Sequence, residues 1–467
     1  MNLKLIFISL GLLLTELLTA QDQTTELSLK QVIEIARMES PDAQTARHSF
    51  RSAYWNYKYY RANYLPSLSL TSDPNLNRAI NKITMGDGSV KFVEQNLLNT
   101  DLTLNLSQNL SWTGGSFFLE TSAQRMDLFS EHKYSWQTSP IMIGYRQSLF
   151  GYNSLKWDRR IEPVRYQEAK KSYVETLELV SANAINKFFA LATAQSDYDI
   201  ASFNYANADT LYRYAQGRYN IGTITENEML QLELNRLTEE TNRMNALIEM
   251  DNCMQELRSY LGIHEDRELR VLVSPQIPDF SVNLNEALAL AYENSPDIQT
   301  MERRKLESES AVAKARANAG LKADIYLRFG LTQTADKLPE AYRNLLDQQY
   351  VSLSIALPIL DWGRGKGQVR VARSNRDLVY TQVEQSRTDF ELNVRKLVKQ
   401  FNLQTQRVRI AARTDETAQR RSEVARKLYL LGKSTILDLN ASISEKDSAR
   451  RNYISALYNY WSLYYTL

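Results

Sequence analysis

The sequence has few of the residues that build disulfide frameworks and metal sites. Its 467 residues include one cysteine, Cys253, and three histidines in separate segments, His48, His132 and His264. A single cysteine cannot form an internal disulfide, and the histidines lack the spacing of a metal-ligand set. Because no nucleophile–base constellation stands out either, we expect no metal site, no cofactor and no enzymatic activity.

An excess of charge of one sign is also missing. The 56 Lys and Arg residues nearly balance the 54 Asp and Glu residues, which leaves a net charge of +2. The chain therefore lacks the strong positive field that would indicate nucleic acid as a partner. Charged residues make up 24% and hydrophobic residues 43% of the chain, which excludes a disordered tail protein and a helical polytopic membrane protein.

Long hydrophobic runs are confined to the N-terminus. Met1–Ala20 is typical of a secretory signal peptide, with Lys4 before an apolar segment that is too short to cross a bilayer. The alternative is a buried N-terminal helix. No other segment has about 20 unbroken apolar residues, so we expect any membrane-spanning part of the chain to be a closed β-barrel.

Glycine and proline are scarce, with 16 and 10 residues, and neither occurs between Gly367 and Gly432. At about 1.5 Å per residue, this stretch allows a helix on the order of 95 Å long. Its apolar residues recur three, four or seven positions apart, which predicts a coiled-coil seam. Lys156–Gln216 predicts a second long helix of this kind, because its proline, Pro163, fits a first helical turn.

The two halves of the chain repeat each other. Leu27–Thr45 and Val282–Thr300 share a Ser-Pro-Asp core, and a later Tyr-x-x-Gly motif ends in Gly222 in the first half and Gly432 in the second. We expect each of these glycines to turn a long antiparallel helical hairpin. The predicted organisation is a signal peptide over 1–20, a first structural repeat over 21–262, a connector over 263–281 and a second structural repeat over 282–467.

Segments of strict apolar–polar alternation precede each hairpin. In Tyr350–Leu360, Leu353 and Ile355 share one face, while Ser352 and Ser354 lie on the other. Such alternation is typical of a membrane strand, with apolar side chains towards lipid and polar ones towards a watery lumen, and also of a half-buried soluble sheet. Further strands are predicted over 67–71, 101–112, 141–150 and 324–334.

The predicted strands are too few for one chain to close a barrel. The second half supplies two and the first half two to four, whereas a water-filled lumen needs more than about eight. Because open sheet edges are excluded from lipid, several chains must contribute, and three with about four strands each would give about twelve. Tyrosines and tryptophans at 54–64 and 458–465 suit a membrane boundary or packing between helices equally well.

Two junction motifs add to the repeated ones. Tyr64–Leu70 (YLPSLSL) lies where a helix passes into a strand, and Leu357–Val369 (LPILDWGRGKGQV) lies where a strand passes back into a helix. Together with the Ser-Pro-Asp and Tyr-x-x-Gly motifs, they resemble the TolC-like outer membrane efflux protein family. The resemblance implies a mainly α chain with membrane β-structure. It also implies that three copies form a homotrimeric outer-membrane β-barrel, with about four strands per chain, which is continued by a long periplasmic coiled-coil barrel of helices.

The same resemblance implies partners and a passive role. The barrel contacts outer-membrane lipid, and the helices dock onto a periplasmic adaptor (membrane fusion) protein and an inner-membrane pump. Cargo then leaves through the channel in a tripartite efflux or type I secretion system. The expected location is the cell outer membrane, with a large periplasmic extension. A second class of function stays open, namely a periplasmic coiled-coil adaptor or scaffold without its own pore, although an adaptor usually has one helical hairpin.

The resemblance also implies a periplasmic gate at the hairpin turns. Relatives close this end with a tyrosine and an arginine on one hairpin, hydrogen-bonded to polar or acidic groups on the other. Here Tyr429 matches the tyrosine, Glu228 the acidic position and Asp438 one position of an acidic ring. Ser434 stands where the arginine would be, and the neighbouring Lys433 could supply the cation. The alternative is that Tyr429 packs and the charged side chains are solvated.

Overall fold

A computed structural model gives the fold of residues 25–264, 268–431 and 433–467, so the predicted signal peptide lies outside the described residues. These residues form eight helices and nine strands. The helices are α1 (Leu29–Glu39), α2 (Pro41–Ala62), α3 (Ser154–Asn220), α4 (Glu226–Leu261), α5 (Leu284–Asn294), α6 (Pro296–Ala319), α7 (Arg364–Leu430) and α8 (Ile436–Thr466). The strands are β1 (Thr25–Ser28), β2 (Ser67–Ser72), β3 (Asn75–Thr84), β4 (Val90–Asn109), β5 (Ser116–Leu128), β6 (Lys133–Ser148), β7 (Leu269–Leu272), β8 (Lys322–Ala335) and β9 (Leu346–Ala356).

The helices repeat from one half of the chain to the other. α3 and α7 have 67 residues each, and each is followed across a short turn by a second long helix. Each repeat opens with two short helices that are separated at Ser40 or Ser295, because the proline that follows cannot extend the preceding helix. The two internal repeats predicted for the fold are confirmed. None of the helices in the described ranges is long and apolar enough to cross a membrane.

The chain forms two compact units, and each unit draws on both repeats. Unit 1 comprises the described residues up to Phe50, Lys171–Ser295 and Asp389–Leu467. Unit 2 comprises Arg51–Lys170 and Pro296–Thr388. The unit boundaries therefore fall within α2, α3 and α7 and between α5 and α6, and they do not follow the boundary between the repeats.

Unit 1 has a hydrophobic core between its helices. The core includes fully buried aliphatic and aromatic side chains from five helices, namely Val32, Phe188, Leu257, Phe401 and Leu457. β1 and β7 pair in parallel and add buried side chains to the same core. Since β7 lies in the segment 263–281, the predicted connector contributes a strand to the core of unit 1 as well as joining the repeats.

The aromatic residues near the C-terminus pack between helices in unit 1. Tyr460 is fully buried, and its hydroxyl donates to the backbone carbonyl of Pro278 at 2.6 Å. Its ring lies 5.5 Å from that of Phe401, centroid to centroid. For Tyr460, the packing interpretation is therefore the correct one of the two that the sequence left open.

Unit 2 contains an antiparallel sheet of seven strands in the order β2-β4-β5-β6-β8-β9, with β3 also paired to β4. β2 and β3 pair with different parts of the same edge of β4 and so share one position in the sheet. The seven strands therefore occupy six positions. The mainly α fold with an alternating sheet is confirmed, but the sheet exceeds the expected count of about four strands. β3 was not predicted, because charged residues at 78 and 82 interrupt its alternation.

The junction motif after β9 forms the cap of α7. One carboxylate oxygen of Asp361 accepts from the backbone N–H of Gly363 and the other from that of Gly365, both at 2.9 Å. Both hydrogen bonds lower the pKa of the Asp361 carboxyl below its usual value, and the bond from Gly365 has the largest effect. Gly363 has φ 83°, a backbone conformation that favours glycine. Part of the LPILDWGRGKGQV motif is thus explained by the backbone geometry needed to start a long helix.

Candidate functional site

The candidate gate residues lie at the two hairpin turns of unit 1, and the two turns have similar backbone hydrogen bonds. At the first, Gly222 has φ 75°, and the N–H of Thr223 donates to the carbonyl of Arg218 at 2.9 Å. At the second, the N–H of Lys433 donates to the carbonyl of Leu428, also at 2.9 Å. Both bonds span five residues, and at the first turn the left-handed Gly222 makes this a common form of helix C-cap. Gly432 itself lies outside the described residues.

Glu228 forms a capping box at the start of α4. Its carboxylate accepts from the N–H of Thr225 at 2.9 Å, and the Thr225 hydroxyl accepts from the N–H of Glu228 at 3.3 Å. This reciprocal pair satisfies two backbone donors that a helix N-terminus leaves open. Within one chain, Glu228 therefore stabilises the first hairpin turn.

Asp438 does the same at the start of α8. It accepts from the Thr435 hydroxyl at 2.7 Å, and its N–H donates to that hydroxyl oxygen at 3.2 Å. The hydrogen bond from the Thr435 hydroxyl is the main reason why the pKa of the Asp438 carboxyl lies below its usual value. The sequence signal for these capping boxes is a threonine followed three residues later by an acidic residue, in 225–228 and 435–438, although the boxes were not predicted.

Tyr429 and Lys433 make no hydrogen bond with Glu228 or Asp438 in this chain, as far as the described residues show. Lys433 is exposed, whereas Tyr429 is half-buried. Tyr429 lines a groove of about 1400 Å³ in unit 1, together with residues of α3, α7 and α8. The structure thus places all four predicted residues at the turns but gives the two acids local partners.

Polar contacts between the hairpins join α3 to α8, and they were not predicted from the sequence. Arg451 on α8 pairs with Asp197 on α3 at 2.6 Å. The side-chain amide of Asn204 on α3 donates to Asp447 on α8 at 2.9 Å. Asp447 is buried, so its hydrogen bond joins the two hairpins where water competes little. No short-range pattern marks these pairs, because their partners are separated by about half the chain.

The two faces of β9 differ as the alternation predicts. Leu353 and Ile355 are exposed, with 58% and 65% of their surface accessible, and lie on one face. Ser352 and Ser354 lie on the other, where Ser354 is opposite Asp324 of β8. In the described part of the chain, no group of three or more His, Cys, Asp or Glu residues could hold a metal ion. The candidate site therefore consists of the two hairpin turns and a sheet with one apolar face.

Comparison with known protein families gives one match. The family model described as outer membrane efflux protein matches residues 287–464, which span most of the second repeat. Residues in this range match that family model, so the predicted resemblance to the outer membrane efflux protein family is confirmed. No curated protein matches the sequence.

Solved structures share the fold over nearly the whole chain. The CmeC outer membrane channel of Campylobacter jejuni is similar with a TM-score of 0.68 and 15% identity, over 94% of this chain and 84% of that one. The outer membrane protein VceC of Vibrio cholerae is similar with a TM-score of 0.65 and 15% identity, over 94% of each chain. At this identity the likeness shows the fold, which is that of TolC-like outer membrane channels.

Asp438→Ala should lower the melting temperature of the detergent-purified protein at neutral pH, because it opens the α8 capping box. The folded pKa of Asp438 lies below the usual 3.8, so its stabilising contribution is complete above that pH and is lost as the pH falls through the folded pKa. The difference between wild type and variant should therefore shrink in acid. Circular dichroism melts from about pH 7 to about pH 3 measure it.

Thr435→Ser is the matched control, since it keeps the hydroxyl that donates to Asp438. It should follow the wild-type pH dependence. If Asp438→Ala had the same effect in acid as at neutral pH, the carboxylate would not be the stabilising group.

Proposed function

We propose that this protein is the outer-membrane channel of an efflux or type I secretion system. Three copies form a passive duct in the outer membrane, with a large helical extension into the periplasm. The observation that carries the proposal is the exposed apolar face of the sheet in unit 2, which includes Leu353 and Ile355. A soluble monomeric protein would normally bury such a face. No catalytic step is part of this function.

The need for several copies follows from the edges of the sheet. β2 and β9 each have one neighbour among the described strands, so each leaves a row of backbone N–H and C=O groups unpaired. In lipid each unpaired group costs several kcal/mol. Copies related by rotation can pair these edges and close the sheet around a lumen. Three is the number that the family resemblance implies.

The partners follow from the same proposal. A duct that ends at hairpin turns in the periplasm needs a pump to supply cargo, and we propose an inner-membrane pump joined through a periplasmic adaptor. The hairpin turns of unit 1 offer capped helix ends with exposed charged residues, including Lys433. Cargo choice then belongs to the pump, because a passive pore has no step that selects by chemistry.

Protein purified in mild detergent should be a trimer and should form discrete ion-conducting pores in planar bilayers. Light scattering gives the number of copies, and single-channel recording gives the conductance. A chain that stays soluble and monodisperse without detergent, and that conducts no ions, would instead support the periplasmic adaptor or scaffold.

Leu353→Arg should destabilise the assembled protein by about 2–4 kcal/mol if the residue faces lipid near the middle of the membrane. Ser354→Arg is the matched control on the next residue and the opposite face, where Asp324 is directly across on β8. It should assemble normally and change conductance only. Heat-resistant trimer on gels measures assembly, and equal tolerance of both variants would mean that β9 does not face lipid.

The gate prediction is tested by Tyr429→Phe combined with Lys433→Ala. If these side chains hold a closed state across neighbouring hairpins, losing one or two hydrogen bonds should shift the equilibrium towards the open state by about 2- to 10-fold. Single-channel recording measures the open fraction. Tyr219→Phe is the matched control, since Tyr219 holds the corresponding place before Gly222. Unchanged gating in the double variant would place the constriction elsewhere.

A further inference from the structure

The first repeat contributes twice as many positions to the sheet as the second. The second repeat supplies β8 and β9, whereas the first supplies β5 and β6 and, in addition, β4 with β2 and β3 along its other edge. The extra strands precede a tight turn over 110–115, where the N–H of Gly114 donates to the carbonyl of Leu110 at 2.8 Å. Whether these strands belong to the barrel wall or lie outside it decides the width of the pore.

The apolar face of the sheet continues across β2 and the part of β4 that pairs with it. One row of directly paired residues runs from β2 through β4, β5 and β6 to β8, and all its members are apolar: Leu68, Leu106, Leu119, Ile143 and Phe329. All five are exposed, and Leu68 at the edge has 66% of its surface accessible. A loop or plug outside the wall would not need lipid-compatible side chains in register with the wall.

The polar face continues in the same way. On β2 it carries Ser67, Ser69 and Thr71, which pair with Ser107, Asn105 and Thr103 of β4. The hydroxyls of Ser67 and Ser107 are hydrogen-bonded at 2.8 Å. Further along, Glu120 of β5 lies 3.8 Å from Arg328 of β8 on this face. β2 and the part of β4 that pairs with it thus have one apolar and one polar face, as a wall between lipid and water would.

We infer that all six positions belong to the barrel, and that β2 of one copy pairs with β9 of the next. Pairing is antiparallel, because successive positions from β2 to β9 alternate in direction. With the three copies of the proposed function, on which this inference rests, six positions each give about eighteen strands in place of about twelve. We name the contact between β2 and β9 of neighbouring copies the intersubunit seam.

A barrel with more strands is wider. With strands about 4.8 Å apart and tilted by about 40°, a twelve-stranded wall has a backbone diameter of about 24 Å, and an eighteen-stranded wall about 36 Å. The barrel would therefore be about 1.5-fold wider than in the twelve-stranded arrangement. At this strand number, porins enclose an aqueous channel that side chains do not fill.

The intersubunit seam can be mapped with disulfides in full-length protein carrying Cys253→Ser, which removes the natural cysteine. Ser69→Cys on the polar face of β2 is combined, one at a time, with cysteines on the same face of β9 at Gln348, Tyr350, Ser352 and Ser354. At least one pair should give disulfide-linked dimers and trimers on non-reducing gels, because paired strands bring Cβ atoms to bonding distance.

Ser122→Cys on β5 is the matched comparison, combined with the same four positions. In a twelve-stranded wall built from β5, β6, β8 and β9, β5 would meet β9 of the next copy, and this set would cross-link instead. Cross-links from position 122 and none from 69 would overturn the inference, as would a trimer that cross-links in neither set. Those results would leave the trimeric channel standing, whereas a non-conducting monomer would remove the proposed function itself.

Imaging of the unmodified trimer gives a second measurement that needs no variant. A barrel about 36 Å across, measured between backbone walls, agrees with the inference, and one about 24 Å across contradicts it.

Discussion

The pairing of backbone N–H and C=O groups at the edges of the sheet is the constraint on which the rest of this architecture depends. Within one chain, β2 and β9 each have a neighbour on one side among the described strands. The exposed apolar face means that water is not available to satisfy the open side if that face lies in lipid. Copies of the chain must then supply the missing partners, so assembly and membrane insertion depend on the same hydrogen bonds.

The hairpin turns satisfy a similar requirement in water. Each long hairpin leaves four backbone donors open at the start of its second helix, and Thr225 with Glu228 and Thr435 with Asp438 satisfy some of them. Glu228 and Asp438 therefore stabilise the helix N-termini in each chain, independently of any role in a pore. A role in gating would have to use the carboxylate charge that remains accessible, and Asp438 keeps that charge over a wider pH range because its pKa is lowered.

The helices could be predicted from the sequence because their signals are local. Scarce glycine and proline located α3 and α7 to within a few residues, and the repeated Tyr-x-x-Gly motif predicted the turn that follows each of them. The alternating strands β8 and β9 were recognisable for the same reason. β3 was not, since its pairing with β4 compensates for a pattern that is irregular by itself.

The candidate site was predictable only in part. The sequence located Tyr429, Lys433, Glu228 and Asp438 at the turns, but their partners depend on geometry. The pairs Arg451–Asp197 and Asn204–Asp447 join residues more than 240 positions apart, so only the packing of α3 against α8 reveals them. Likewise, no motif states how many strands one chain adds to a barrel, because that number follows from which strands pair.

The composition of the edge strands indicates where self-association should stop. β2 has no charged residue and no proline, so its backbone can pair along its full length. Asp73 and Pro74 follow at once, and proline has no N–H to donate to a neighbouring strand. Beyond them β3 carries Arg78 and Lys82, and charged residues on an edge discourage further pairing. The edge is thus divided into a segment suited to a second copy and a segment protected from it. This division would limit the intersubunit seam to β2 and prevent open-ended sheet growth between trimers.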